Sequence, residues 1–253
     1  MEVEQPYARS GKARRAVRDQ KGQNTMKKKD TVVEQAYAIL KEQIVTLQLR
    51  PGQLLMVQQL AQELGFSRTP TREALVRLVD EFLVTEADGN KFRVSEISWK
   101  WIQDIYQARM ILEEAAIDHV AREATPEQIA ELERILDRMA QAHASMDYAA
   151  YFDADCIFHK TIVAICGNSI LNNWIDKTTD QQQRIRYCTM GLSAEMAKSL
   201  AEHTEMVRCI REKDPAMACE VSRHHLDRAL CEMMKLRNGV CMGSLSMIIG
   251  DEK

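Results

Sequence analysis

The chain has 253 residues, of which 45% are hydrophobic and 28% are charged, and its formal net charge is −3. This composition excludes a chain that is disordered throughout, and the acidic balance excludes a uniformly basic nucleic-acid coat. The uncharged stretch Asn238–Gly250 has 13 positions, whereas a membrane-spanning helix needs about 20 apolar residues. No membrane span is therefore expected.

The N-terminus is polar and basic and contains no apolar segment of the kind found in secretory signals, so a cytoplasmic location is expected. The seven cysteines form no C-x-x-C pair, and all lie after residue 150. This pattern is typical of reduced thiols that fill a protein core.

Charge is unevenly distributed along the chain. Residues 1–30 carry nine basic and four acidic residues, a net of +5, whereas residues 31–95 carry −1 and residues 96–253 carry −7. The first segment is predicted to be a disordered basic tail. The same pattern also fits a start site placed too early, with Met26 rather than Met1 as the native first residue.

Residues 31–95 contain the pattern of a small DNA-binding fold. Apolar residues at helical spacing predict helices over 31–49, 57–64 and 67–82. Two short strands, 83–86 and 92–94, flank the turn Asp88-Gly89-Asn90 and predict a hairpin. Three helices followed by a hairpin indicate a winged helix-turn-helix domain.

Residues 96–238 contain only long amphipathic segments. Helices are predicted over 98–122, 126–144, 147–166, 168–188, 193–213 and 215–237. The sequence Thr125-Pro126-x-Gln128 predicts a capped helix start. The fold class is therefore mainly α, with an antiparallel helical bundle as the second domain and residues 239–253 as a C-terminal tail.

The third helix of the first domain carries residues suited to DNA. Arg68 and Arg72 lie four residues apart, on the face opposite the apolar stripe. A recognition helix directs its first turns into the major groove, where arginine binds guanine and hydroxyl groups bind phosphates. The alternative is a capped surface helix whose arginines are merely solvated.

The second domain contains four inward-facing residues of metal-binding type. Asp155 and His159 share one helical face, and His203 and His225 lie 11 residues on either side of Asp214. In an antiparallel hairpin, the last two then lie at the same height. Three imidazoles and a carboxylate suit Zn²⁺, with Ni²⁺ or Mn²⁺ as further options. The alternative is a set of core histidines with ordinary hydrogen-bond partners.

Arg109 interrupts another apolar stripe, with Glu113 one turn further along the helix. The pattern fits an internal ion pair and a ligand-binding arginine equally well, because a buried arginine needs a partner in either case.

The stretch PGQLLMVQQLAQELGFSRTPTREALVRLVDEFLV resembles the winged-helix domain of the GntR family of bacterial transcription regulators. The resemblance rests on the P-G, the L-A-x-x-L-G and the S-R-T-P-x-R-E-A-L. It implies that Arg68, Thr69 and Arg72 contact bases or phosphates and that Ser67 assists at the helix start. It also places Gly89 in the wing and Gln58 where some members carry a phosphate-contacting arginine.

Two departures from the family pattern affect the wing. Phe82 occupies a position where glycine is usual, and the wing lacks a second glycine, so Lys91 and Arg93 are expected to replace the usual wing contacts.

The second half resembles the FCD ligand-binding domain of the FadR-type GntR subfamily, whose ligand pattern is D-x-x-x-H, E-H and H-L. Asp155, His159, Glu202-His203 and His225-Leu226 match this pattern in order. The resemblance implies a metal site and a role for Arg109 in binding an effector carboxylate.

Three further residues are considered as effector contacts, and each has a structural alternative. They are Asn168, which also fits a helix cap, and Arg184 or Arg186, which also fit a solvated face.

These features predict a homodimeric transcription regulator, not an enzyme, that binds a double-stranded DNA operator. A small organic acid bound near the metal would control the operator affinity. The alternatives are a metal-dependent enzyme that uses the same Asp/His₃ site and a regulator that responds to the metal itself, with Cys156 or Cys166 contributing.

Overall fold

The computed structural model describes residues 31–89, 91–189, 196–238 and 249–250. The predicted basic tail, with the alternative start at Met26, lies outside this range, as does most of the predicted C-terminal tail. No helix in the described part of the chain has the length and apolar character needed to cross a membrane.

The described residues divide into two compact units. One contains residues 31–42 and 54–93, and the other contains residues 43–53 together with the chain from residue 94 onward. The segment 43–53, which the sequence assigned to the DNA-binding domain, therefore packs with the helical bundle.

The first unit has the predicted winged-helix architecture. Its elements are α1 (31–45), β1 (Leu54–Met56), α2 (Val57–Leu64), α3 (Arg68–Asp80), β2 (Val84–Ala87) and β3 (Lys91–Val94). The strands form a sheet in the order β1-β3-β2, and β1 runs antiparallel to β3 with Leu55 opposite Phe92. Strand β1 was not predicted, because it leads directly into α2 and is not joined to another strand by a hairpin turn of the kind that marked 83–86 and 92–94.

Helix α1 ends earlier than the predicted position 49. Leu47 adopts a left-handed backbone conformation, with φ of 63°, and the Leu49 N–H returns to the Gln43 carbonyl at 2.9 Å. These features close the helix before Pro51, which the sequence pattern treated as the terminator.

Helix α3 ends in a left-handed conformation at Phe82, the position for which the family resemblance implies glycine. Phe82 has φ of 60°, and its side chain is 54% exposed. For an L-residue other than glycine, this conformation costs roughly 1–2 kcal/mol. The ring, being half exposed, offsets only part of that strain.

We expect Phe82→Gly to raise the unfolding free energy by about 0.5–1 kcal/mol, because relief of the strain exceeds the additional chain entropy of glycine, which is about 0.5–1 kcal/mol. Chemical denaturation followed by circular dichroism measures the change. Phe82→Ala is the matched control, since it removes the ring but keeps the Cβ. Equal stability of the two variants would show that the strain at this position is no larger than the entropy cost of glycine, about 0.5–1 kcal/mol.

The second unit is a helical bundle. Its helices are α4 (Trp99–Glu123), α5 (Pro126–Ala144), α6 (Tyr148–Ile165), α7 (Ser169–Thr189), α8 (Met196–Arg211) and α9 (Pro215–Asn238). The predicted cap at the start of α5 is confirmed: the Thr125 hydroxyl accepts from the Gln128 N–H, and the Gln128 side chain accepts from the Thr125 N–H.

A short parallel pair joins strand β4 (Ile97–Ser98) to strand β5 (Ile249–Gly250). Two residues of the predicted C-terminal tail thus belong to the second unit. The main core of this unit is apolar and is built from all six helices, α4 to α9, and its fully buried members include Ala116, Leu132, Phe158 and Ile210. The polar cluster described below lies among these helices.

Candidate DNA-binding surface and metal centre

An open groove runs between the start of α2, the first turns of α3 and the wing. Its lining residues are Met56, Val57, Gln58, Arg68, Thr69, Arg72, Glu73, Gly89 and Lys91. All of the predicted DNA-contacting residues except Ser67 and Arg93 line this groove. Ser67 is the exposed N-cap residue of α3, and its hydroxyl makes no capping hydrogen bond.

The wing turn depends on Gly89, whose φ is +70°. A side chain at this position would be strained, because few L-residues adopt that conformation. The turn keeps the exposed Lys91 beside the groove, as the wing prediction requires.

A third arginine of α3 has a different task. The Arg77 guanidinium stacks over the Tyr37 ring at 3.9 Å and pairs with Glu34 at 2.6 Å. Tyr37 in turn donates to Glu81 at 2.6 Å. Arg77 therefore packs α3 against α1, whereas Arg68 and Arg72 lie on the groove side.

The four predicted metal ligands meet in the core of the bundle. Asp155, His159, His203 and His225 are 97% or more buried, and one ligand atom from each lies within 4.8 Å of the others. The Nε2 atoms of His159 and His203 are 3.2 Å apart. Two ligands held about 2.1 Å from one tetrahedral ion lie about 3.4 Å apart, so these two nitrogens have the spacing of two ligands of one ion.

Two glutamates orient two of the imidazoles. The Nδ1 of His159 lies 2.7 Å from Glu113 Oε2, and the Nδ1 of His225 lies 2.7 Å from Glu202 Oε2. In each case the protonated Nδ1 donates a hydrogen bond to the carboxylate. The Nε2 lone pair is then left for a bond to a ligand. Among the described residues, the buried Nδ1 of His203 has no hydrogen-bond partner.

Attraction to neighbouring cations keeps the buried carboxylates charged, and burial keeps the imidazoles of His203 and His225 neutral. Burial alone would raise the pKa of Glu113, but attraction to Arg109 and His159 outweighs burial and brings this pKa to about 2. Burial lowers the pKa of both His203 and His225 below the ordinary value of 6.5. At pH 7 these two imidazoles are neutral, as metal ligands must be.

Arg186 contacts the carboxylate ligand. Its Nη2 pairs with Asp155 Oδ2, and its Nη1 lies 3.3 Å from the Phe152 carbonyl oxygen. Burial would raise the pKa of Asp155, but Arg186 and the three histidines lower it well below its usual range. The negative charge at the centre of the cluster is therefore retained.

Arg109 forms the predicted internal pair and also keeps a donor available. Its Nε donates to Glu113 Oε1 at 2.7 Å, and its Nη2 is 2.7 Å from the same oxygen. The fully buried Nη1 has no hydrogen-bond partner within the described range. Because Glu113 Oε2 contacts His159, a single carboxylate separates the Arg109 guanidinium from the Asp/His₃ cluster.

The three weaker effector candidates have partners within the protein. The exposed Asn168 caps α7, since its Oδ1 accepts from the N–H groups of Ile170 and Leu171 at 3.0 and 3.2 Å. The fully buried Arg184 donates to the Ser95 carbonyl and, at 2.9 Å, to Gln181. Neither arginine of α7 lies on a solvated face, contrary to the sequence-based alternative.

Sequence analysis did not identify three contacts: Glu113 with His159, Glu202 with His225, and Arg186 with Asp155. Each joins two different helices, so spacing along one helix gives no sign of it. Only the Glu202 contact left a signal in the sequence. Glu202 directly precedes His203 and so lies about 100° around the helix from it, on a side that can face the neighbouring helix.

The chain thus combines a winged-helix unit with a helical bundle that contains a buried Asp/His₃ cluster. Residues 32–94 match the family of bacterial regulatory proteins called gntR, and residues 104–228 match the FCD domain. The chain belongs to the GntR family and carries an FCD domain. It is a DNA-binding transcriptional regulator.

Individual relatives agree with this assignment. An HTH-type transcriptional regulator from Streptomyces ambofaciens is 27% identical over 79% of this chain and 84% of its own length. One from Agrobacterium vitis is 32% identical over 52% of this chain and 79% of its own length. The structure of E. coli McbR/YncC superposes with a TM-score of 0.71 at 24% identity, covering 82% of this chain and 99% of that one. This likeness supports the predicted fold class.

Proposed function

We propose that the groove of the winged-helix unit is the operator-binding surface. Arg68 and Arg72 supply forked donors for guanine edges, while Ser67 and Thr69 donate to phosphates. Gln58 and Lys91 flank this helix and contact the DNA backbone on either side. The observation that supports the assignment is that Gln58 from α2, Arg68, Thr69 and Arg72 from α3, and Lys91 from the wing all line one groove.

The regulator acts as a homodimer on a two-fold operator, in the cytoplasm where its DNA lies. Helix-turn-helix proteins commonly bind half-sites related by two-fold symmetry, and a dimer doubles the few base contacts available to one short helix. The near-neutral charge of residues 31–95 adds little nonspecific attraction, so specific contacts and dimerisation carry the affinity.

Asp155, His159, His203 and His225 hold a divalent metal ion. The donor set fits a borderline cation, with Zn²⁺ first and Ni²⁺ or Mn²⁺ as alternatives. The 3.2 Å separation of two imidazole nitrogens, and the carboxylates that orient His159 and His225, support this proposal. Such an ion supplies a Lewis-acidic position for an oxygen of a ligand.

The effector is a small organic acid that binds Arg109 close to the metal. The observation that carries this proposal concerns Arg109. Its Nη1 is buried and has no hydrogen-bond partner in the described part of the chain. A planar guanidinium suits a carboxylate. Since Glu113 already occupies one edge of Arg109, the effector binds the other edge.

The test is a thermal-shift screen of small carboxylates against metal-loaded and metal-stripped protein. A true effector at about a hundredfold excess over its Kd should raise the Tm by several degrees, and only when metal is present. Arg109→Lys, which keeps the charge but loses the fork, should reduce the shift. Arg138→Lys makes the same change at an exposed position of α5 and serves as the control.

Equal stabilisation of metal-stripped protein would separate the effector from the metal. If Arg109→Lys kept the full shift, Arg109 would have no part in effector binding.

A further inference from the structure

Three consecutive residues of α7 contact two different parts of the second unit. Arg184 donates to the carbonyl of Ser95, Ile185 packs in a buried cluster with Ile97 and Trp99, and Arg186 pairs with Asp155. One side of this short segment therefore contacts the Asp/His₃ cluster. The other contacts residues 94–98, here called the connector.

The connector is the stretch of chain that directly follows Arg93, the last residue of the winged-helix unit. Its first residue, Val94, exchanges two 2.9 Å hydrogen bonds with Gly52 and Gln53. Further along, Ile97 pairs with Ile249 in the parallel β4-β5 pair. The connector is therefore held by the bundle unit, and Arg184 is one of the attachments.

The Arg184 contact should move with the helix instead of breaking. The Arg184 side chain is fully buried. If a buried guanidinium loses an acceptor, the structure is destabilised, because water cannot reach the group to replace the lost hydrogen bond. Arg184 and Arg186 are only about 3 Å apart along the axis of one helix, so a displacement at either is felt at the other.

The Asp155 carboxylate is the position at which an ion acts on this segment. Its Oδ2 pairs with Arg186 and lies 3.8 Å from the Nε2 of His159, and its Oδ1 lies 3.6 Å from the Nε2 of His203. An ion held by the cluster draws on the same carboxylate that Arg186 holds. Occupancy of the cluster thus changes the balance of forces on Arg186.

We propose that Arg184, Ile185 and Arg186 couple occupancy of the metal centre to the connector, and through it to operator affinity. The proposal rests on the metal centre of the proposed function and adds the route by which that centre controls DNA binding. Coupling of this kind is reciprocal, so operator binding changes metal affinity by the same factor that metal changes operator affinity.

The experiment compares operator affinity for metal-loaded and metal-stripped protein at fixed ionic strength. The probe is Zn²⁺ alone, and the DNA is a duplex selected from random sequences by the loaded wild-type protein. For the wild type we expect the two affinities to differ by at least about fivefold. Arg184→Met should still hold zinc and bind the duplex, but the ratio of its two affinities should fall towards one.

Arg138→Met is the matched control, because it removes an exposed arginine of α5 and should leave the wild-type ratio unchanged. Circular dichroism checks folding, and if Arg184→Met does not fold, Arg184→Lys takes its place. Lysine keeps the charge and one donor for Ser95 but cannot also bind Gln181, so an intermediate ratio is expected.

Each outcome has a distinct meaning. A wild-type ratio of one, with zinc bound, would overturn the coupling and leave the metal centre standing. A wild-type ratio kept by a folded Arg184 variant would overturn the role of this segment. Absence of zinc from the wild-type protein would overturn the metal centre, and the coupling with it.

Discussion

Replacing Arg68 and Arg72 together by alanine should weaken operator binding by at least about 100-fold. A bidentate contact between arginine and guanine contributes about 1–3 kcal/mol of discrimination, and two such contacts are lost from each subunit of the proposed dimer. Fluorescence anisotropy at fixed salt measures the effect, on a duplex selected by the wild-type protein and on a scrambled duplex of the same composition. Affinity for the scrambled duplex should fall much less.

Arg138→Ala is the control for this loss, since it removes one positive charge from an exposed position of α5. Thermal melting should be unchanged in all variants, because neither Arg68 nor Arg72 is buried. If the double variant still distinguished the selected duplex from the scrambled one as well as the wild type does, α3 would not be the element that recognises the operator.

His225→Ala should remove the bound metal, whereas His224→Ala should keep it. The two histidines are neighbours on α9 and both approach Glu202, at 2.7 and 3.6 Å, but the His225 side chain is 4% exposed and the His224 side chain 70%. Loss of an orienting partner costs 10–100-fold in metal affinity, and loss of a ligand should exceed that. Elemental analysis after dialysis against a buffered zinc solution gives the metal content per chain.

The pair of variants controls for general destabilisation, because the two substitutions are identical in chemistry and adjacent in sequence. Equal metal content in both would mean that His225 is not a ligand. Loss of metal from both would point to the Glu202 environment rather than to either imidazole.

The pattern of residues predicted the fold better than it predicted the site. Helical periodicity located the helices to within a few residues, since each buries one stripe, and Gly65 ended α2 in a left-handed conformation as expected for a helix C-cap. The four cluster residues could also be predicted from the sequence. In particular, His203 and His225 lie equally far from Asp214, which places these two residues at the same height in a helical hairpin. The structure brings their rings to 4.4 Å.

Contacts between helices could not be predicted from the sequence in the same way. Whether Glu113 faces Arg109, His159 or both depends on how α4 packs on α6, and periodicity does not fix that relation. The same limit applies to Arg184 and Arg186: two residues apart, they point to different sides of α7, and the surroundings of each are set by neighbouring helices. The C-terminal strand β5 was missed because two residues carry no pattern.

The stacking of Arg77 on Tyr37 bears on how genetic data for this regulator should be interpreted. A screen for loss of operator occupancy would recover Arg77 together with Arg68 and Arg72, because a recognition helix that is loose at its far end presents its first turn poorly. Such a hit would say nothing about base contacts. Suppressor mutations would separate the classes: changes in operator sequence could restore binding to variants of Arg68 or Arg72, but only changes in α1 could restore it to a variant of Arg77.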